Sequence, residues 1–299
     1  MPIAITPQLR QTIQRVALAA ESDFTAGLSV ADLAEDAGMS EKHFQRCFRA
    51  VMGEPPKRYL RRIRLQAAAY YLKWSDAPVI ELGMRLGFDT PAGFTKAFTK
   101  AYGRSPTSFR GASEVVPYLR TPRLSAEGFD PRMLEAHRLA VRIETLPARR
   151  VAFMRHIGPT ETAASVWRPF RAWLDDAGLW SDDALLLGIH NDYWDAQSEA
   201  RYRYDAAAVV PDDFPGDERV NTRVLAGGRV AMTEFAGSVA EMDEAWRRFV
   251  DQWLPVSGFR PAAGYGFDVY PPRLFGEGWV SRVLQTLTGI EATLALPVE

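Results

Sequence analysis

Two stretches of the first 110 residues repeat one pattern. Leu33-Ala34 leads to Ala37-Gly38-Met39-Ser40 and then to Phe44 and Phe48; Leu82-Gly83 leads to Leu86-Gly87-Phe88-Asp89 and then to Phe94 and Phe98. Each stretch sets a small residue on a first helix, a glycine at a tight turn, and an apolar i, i+4 pair on a second helix. That is a helix-turn-helix arrangement, and two copies of it confine this region to an all-α unit.

The flanking signals predict about seven helices over 1–112. Gln8 to Ala20 carries apolar residues at amphipathic spacing. Ser29 caps the next helix, with Asp32 three positions on in a variant of the capping box, and that helix ends at Gly38. Ser40 caps Glu41 to Met52. Pro55-Pro56 opens a connecting helix from Lys57 to Trp74. Pro78 stands at the N1 position of the following helix. Thr90 caps the last recognition helix with Pro91 at N1, and Gly103 closes it. Gly38 to Phe44 is six residues and Gly87 to Phe94 is seven, so the second turn is one residue longer. Cys47 is the one cysteine, which excludes an internal disulfide and a multi-cysteine metal site. Its place on a helix between Arg46 and Phe48 reads as packing.

Charge separates the chain into two parts. Residues 1–112 hold 16 Lys+Arg against 10 Asp+Glu, and residues 113–299 hold the remaining 20 against 27. A basic part with two helix-turn-helix patterns beside an acidic part is the balance expected of a reader of double-stranded DNA joined to a domain that does not bind it. The segments Met39 to Phe48, Gly87-Phe88-Asp89, Phe94 to Phe98 and Tyr102-Gly103-Arg104-Ser105-Pro106 resemble the AraC/XylS family of transcription regulators across residues 8–110. Recognition helices use their N-terminal face against base edges. With Phe44 and Phe48 turned inward, Lys42, Gln45, Arg46 and Arg49 fall on exposed arcs. Gln45 can bond adenine and Arg46 guanine, while Lys42 and Arg49 suit phosphates. Ser40, His43, Thr90, Thr95 and Lys96 complete the candidate DNA contacts. Pro91-Ala92-Gly93 offers no side-chain hydrogen bond, so base readout is expected mainly from the first unit. Lys57, Arg58, Arg61, Arg62 and Arg64 form a basic run expected to divide between phosphate and solvent. The resemblance implies RNA polymerase as a partner and activation as the direction of control.

Residues 113–138 read as a linker, with Pro117, Pro122 and Pro131 breaking any helical pattern. The part from 139 to 299 contains a duplication. Leu146, Arg150, Val151, Ala152, Gly158, Trp167, Arg168 and Phe170 recur as Leu225, Arg229, Val230, Ala231, Gly237, Trp246, Arg247 and Phe249 at a constant offset. Each copy reads as strand, turn, strand and amphipathic helix, the helices running from about Thr162 to Leu174 and from Val239 to Leu254. Further strands are predicted at Leu185 to Ile189, Ala200 to Val210, Gly264 to Tyr270 and Ala292 to Pro297. The expected fold is therefore multidomain: the double helix-turn-helix unit, then a pseudo-twofold α+β domain with an antiparallel sheet. Leu146 to Ala152, His156 to Pro159, Leu187-Gly188-Ile189, Arg203 to Ala206, Gly227-Gly228-Arg229, Trp253 to Gly258 and Leu296-Pro297-Val298 resemble the GyrI-like effector-binding domain.

That resemblance implies a small-molecule effector held by a strand ending in Glu-x-Tyr. Here the stretch is Asp268-Val269-Tyr270, and strand alternation puts Asp268 and Tyr270 on one face. An acid beneath aromatic walls suits a lipophilic cation. Tyr193, Trp194, Tyr204, Asp268 and Tyr270 are the candidate ligand contacts, with Trp180, Tyr202 and Trp279 as further walls. Trp167, Phe170, Trp246 and Phe249 sit at helical spacing and read as core. The four histidines show no metal-ligand spacing, and there is no nucleophile elbow or P-loop. No cofactor and no catalysis are expected; a domain that contacts only protein, or a small-molecule hydrolase, are the alternatives. No apolar run reaches the length of a membrane span and the start lacks a signal-peptide pattern, which predicts a cytoplasmic protein. Oligomeric state is left open.

Overall fold

The computed structural model describes residues 3–22, 28–111, 139–192, 201–262, 266–275 and 289–299. The chain divides into two compact units, Met1–Val116 with Asp217–Asn221, and Pro117–Gly216 with Thr222–Glu299. The linker expected over 113–138 lies outside the described residues. That Asp217–Asn221 groups with the first unit is not legible in the sequence.

The first unit is helical: α1 (Pro7–Ser22), α2 (Val30–Asp36), α3 (Glu41–Met52), α4 (Pro56–Trp74), α5 (Val79–Arg85), α6 (Pro91–Tyr102) and α7 (Pro106–Gly111). The capping box forms as expected: the Ser29 hydroxyl accepts from the Asp32 N–H at 3.2 Å, and the Asp32 carboxylate accepts from the Ser29 N–H at 2.7 Å. Ser40 stands at the N-cap of α3, but its side chain makes no cap hydrogen bond. Pro78 is the N-cap of α5 rather than its first residue, with extended ψ. In α3 the buried residues are Phe44, Cys47, Phe48 and Met52, and in α6 they are Phe94, Ala97 and Phe98. The same i, i+3, i+4 stripe thus turns both helices toward the core and leaves equivalent arcs facing outward. The turns between the paired helices run through Gly38 and Gly87, at φ 64° and 76°, a region that costs an L side chain energy and glycine none.

The second unit is built on an eight-stranded sheet in the order β1-β6-β8-β7-β3-β4-β2-β5. The strands are β1 (Val141–Leu146), β2 (Arg149–Gly158), β3 (Leu186–His190), β4 (Tyr202–Val209), β5 (Asn221–Leu225), β6 (Gly228–Gly237), β7 (Phe267–Tyr270) and β8 (Ile290–Pro297). Exchanging the two copies, β1–β4 for β5–β8, reproduces the same order read from the other end, which is the pseudo-twofold expected from the repeat. Its centre is the antiparallel β3–β7 pair, one strand from each copy. The copies are interleaved: β1 pairs with β6 of the second copy, and β5 lies beside β2 of the first.

Each copy also supplies a helix. In the first, a 3-10 segment (Thr160–Val166) precedes α8 (Trp167–Asp176). The α-helix thus begins later than the expected Thr162. Pro169 lacks the N–H that would extend it backward, and fits only in a first turn. In the second, a capping box of Ser238 and Glu241 starts α9 (Val239–Arg247), which continues through a π-helical stretch (Arg248–Trp253) and a last turn (Leu254–Val256). Phe170 and Phe249 are fully buried, as expected of core.

Candidate nucleic-acid interface and small-molecule site

On α3, Lys42, His43, Gln45, Arg46 and Arg49 are exposed, as is Ser40 ahead of it. Gln45 is not idle in that position: its amide donates to the Glu41 carboxylate at 2.8 Å, an i, i+4 bond along the exposed face. The His43 ring lies 3.5 Å from the buried Cys47 sulfur. On α6, Thr95 and Lys96 are exposed. The Thr90 hydroxyl accepts from the Gly93 N–H at 3.0 Å, so its lone pair already serves the cap. The basic run of α4 differs from expectation. Lys57, Arg58 and Arg61 are exposed, but Arg62 donates to the buried Glu54 at 3.0 Å. Arg64 turns inward as well, donating to the carbonyls of Gly87 and Leu28 at 3.1 and 2.9 Å. The helix needs those two side chains for its own packing, which periodicity on a charged run does not reveal.

The second unit gathers its polar aromatics on one face of the sheet. Gly188 pairs with Asp268 across the central strands, Leu186 with Tyr270, and His190 with Tyr204 on the other side. Alternation then places Gly188, His190, Tyr202, Tyr204, Asp268 and Tyr270 on that face. Asp268 is 1% exposed. One of its oxygens accepts from the Trp246 indole N–H at 2.9 Å. The other accepts from His190 Nε2 and from the Tyr270 hydroxyl, both at 2.9 Å. His190 reaches the Tyr202 hydroxyl through Nδ1. A neutral imidazole that donates from Nε2 accepts at Nδ1, so the chain Tyr202–His190–Asp268 is consistent as a run of donors into one carboxylate. The Trp167 indole donates to the Tyr204 hydroxyl at 3.1 Å.

The repeat thus explains more than core. Trp167 and Trp246 are buried, as expected, yet each sends its N–H to the polar face from the matching position of α8 or α9. Gly188 makes room for this arrangement. A Cβ there would lie 2.1 Å from the Tyr204 oxygen and 2.9 Å from the Tyr270 ring, so a bare backbone is what lets both phenols lie across the strand. Burial, reinforced by the Asp268 charge, raises Tyr202, Tyr204 and Tyr270 above the ordinary tyrosine range and keeps them neutral donors. Burial likewise raises the Asp243 carboxyl on α9, against the influence of His190.

Asp268, Tyr270 and Tyr204 therefore come together, while Tyr193, Trp194 and Trp279 lie outside the described residues. Trp180 lies against Arg171, whose guanidinium sits 3.6 Å from its ring centroid. Sequence reasoning missed His190, because in the second unit it weighed histidines only as metal ligands. Its one signal was position, two residues beyond Gly188 and one past the expected strand end at Ile189, where the strand in fact continues through His190. Among the described residues no group of His, Cys, Asp and Glu is placed to hold a metal ion, and no helix is long and apolar enough to cross a membrane.

Two family models match the chain: a helix-turn-helix domain over residues 33–112 and a GyrI-like small molecule binding domain over residues 139–274. The chain is 36% identical over 90 residues to the HTH-type transcriptional activator AarP of Providencia stuartii, covering 30% of this chain and 67% of AarP. It is 34% identical over 87 residues to the transcriptional regulator Rob of Salmonella typhimurium, covering 29% of this chain and 30% of Rob's own length. The solved C-terminal domain of EcmrR aligns over 54% of this chain and 98% of that domain, at 13% identity and a TM-score of 0.42. AarP is named a transcriptional activator and Rob a transcriptional regulator. With its double helix-turn-helix unit followed by a GyrI-like domain, the chain belongs to the AraC-type family of DNA-binding transcription regulators.

Proposed function

We propose that the chain is a one-component switch acting in the cytoplasm, with α3 and α6 reading double-stranded DNA and the sheet face around Asp268 binding a small effector. In this reading Gln45 and Arg46 meet base edges. Lys42 and Arg49 meet phosphates, with Ser40, His43, Thr90, Thr95 and Lys96 at the margin of the contact. The effector is an aromatic or amphipathic cation held against Asp268, Tyr270 and Tyr204, with Tyr193 and Trp194 as further walls. AarP is named an activator, and activation through RNA polymerase is the direction we extend to this chain.

One observation carries the effector half: a carboxylate taken fully out of water, framed by an indole, an imidazole and a phenol. Isolating a charge in this way is costly unless it is paired. A cation bound there would trade against the His190 and Tyr270 bonds rather than fill a bare acid. The test uses the full chain and a benzyl quaternary ammonium amphiphile, followed by tryptophan fluorescence. Saturable quenching is expected, weakened about tenfold or more in Asp268→Asn, since one lost charge-assisted contact is worth at least that factor. Identical curves for the two proteins would remove the assignment, and no quenching in either would favour a domain that contacts only protein.

A further inference from the structure

Arg64 is half-buried on the connecting helix α4, between the two helix-turn-helix units. Its two terminal nitrogens point to different units. One donates to the carbonyl of Leu28 at 2.9 Å, directly ahead of the Ser29 cap of α2. The other donates to the carbonyl of Gly87 at 3.1 Å, in the turn between α5 and α6. A guanidinium is a rigid plane with its donors at fixed angles, so the direction of one bond constrains the direction of the other. The backbone accommodates it closely. A Cβ on Gly87 would lie 3.0 Å from the Arg64 Cζ, whereas nothing lies within 4 Å of the equivalent position on Gly38. The second turn is thus packed under a side chain and the first is not.

We propose that Arg64 is a positioning residue that locks the entry of the first helix-turn-helix unit to the turn of the second, and so sets which spacing of DNA half-sites the chain accepts. It works through α2 and through the turn before α6. Helix α2 leads through the Gly38 turn into α3, and the Gly87 turn leads into α6, so the tie acts on the two helices whose N-terminal faces must reach successive turns of one duplex. Inserting one base pair between half-sites rotates them by about 35° relative to each other. A pair of recognition helices held at fixed angles cannot follow that rotation, and a pair joined only by α4 packing follows it more easily.

The experiment uses a duplex enriched by the full chain from a random-sequence pool. It is rebuilt as a series with one or two base pairs added or removed between the two protected segments. The wild-type chain is expected to lose about tenfold in affinity for a one-pair change, the scale of one mismatched contact. In Arg64→Ala the penalty should shrink to about threefold or less while affinity for the parent duplex falls only a few-fold. Arg64→Lys should behave like alanine, because a single ammonium keeps the charge but cannot hold two carbonyls in one plane. If Arg64 instead met a phosphate, lysine would restore binding, and alanine would weaken the whole series evenly and flatten the salt dependence. That result overturns the proposal, as does a wild-type spacing penalty in either variant. Circular dichroism checks each variant, and Arg64→Lys carries the comparison if Arg64→Ala loses its helical content.

Discussion

At Gly188 the absence of a side chain decides where the Tyr204 and Tyr270 phenols of the proposed small-molecule site can lie. Replacing it by alanine places a methyl inside the space of the Tyr204 hydroxyl and against the Tyr270 ring. Either the rings move or the central strands part. Overpacking of this kind costs about 1–3 kcal/mol, and urea unfolding of Gly188→Ala should show a loss of that size. It should also come with weaker quenching by a cationic amphiphile, because Tyr270 would leave Asp268. The residues of this site were partly legible. Alternation alone placed Asp268 and Tyr270 on one face, and the repeat linked Trp246 to Trp167. What could not be read was the partner across the sheet. The Gly188–Asp268 register, which brings His190 within reach of the carboxylate, depends on residues 80 positions apart. No local pattern encodes it.

The recognition helices α3 and α6 share one buried stripe but differ in the chemistry of their exposed arcs. On α3, Arg46→Ala should cost about 1–3 kcal/mol in affinity for a selected duplex and relax the preference at one base pair, while Lys42→Ala should weaken binding evenly and lower the salt slope by about one. Footprints and salt titrations separate the two outcomes. Helices of this kind were legible nearly to the residue, since their signals are short-range: the Ser29 capping box, the Gly38 and Gly87 turns, Pro91 at the first position of α6. Where they departed from expectation, tertiary packing intervened, as when Arg62 and Arg64 left the exposed run of α4 for Glu54 and two carbonyls. Among the strands, β4 and β7 carry the three buried phenols. Their folded pKa values are raised, so the protonated form favours the folded state. The stability they confer is complete below the unfolded tyrosine value of about 10 and is lost as pH rises beyond it. Ultraviolet titration should therefore show these tyrosines silent through pH 10, with the melting temperature falling above that pH.

Across the whole molecule, the charge division of 16 Lys+Arg to 10 Asp+Glu before residue 113, and 20 to 27 after it, means that salt should act on DNA binding through the first unit alone. If the two functions are coupled, linkage requires the coupling to be mutual: an effector that changes affinity for the duplex by some factor must find its own affinity changed by the same factor when the duplex is bound. Titrating the amphiphile with and without a saturating selected duplex measures both sides of that equality. Equal effector affinities in the two conditions would mean that the domain senses without signalling to DNA.

The interleaving of the two copies in the sheet also sets an order in time. Helices α1 to α7 are complete by Gly111, and their packing is mostly between neighbours in sequence. The sheet cannot be finished copy by copy, because β1 needs β6 from the second copy, and β6 and β7 both need β8, which ends at Pro297. On a ribosome, where domains fold as they emerge, the DNA reader has its whole unit once Asp217–Asn221 has emerged, while the second unit still waits for its last strand. A chain stalled or truncated late in synthesis would leave a DNA-binding fragment without the completed sheet of the second unit.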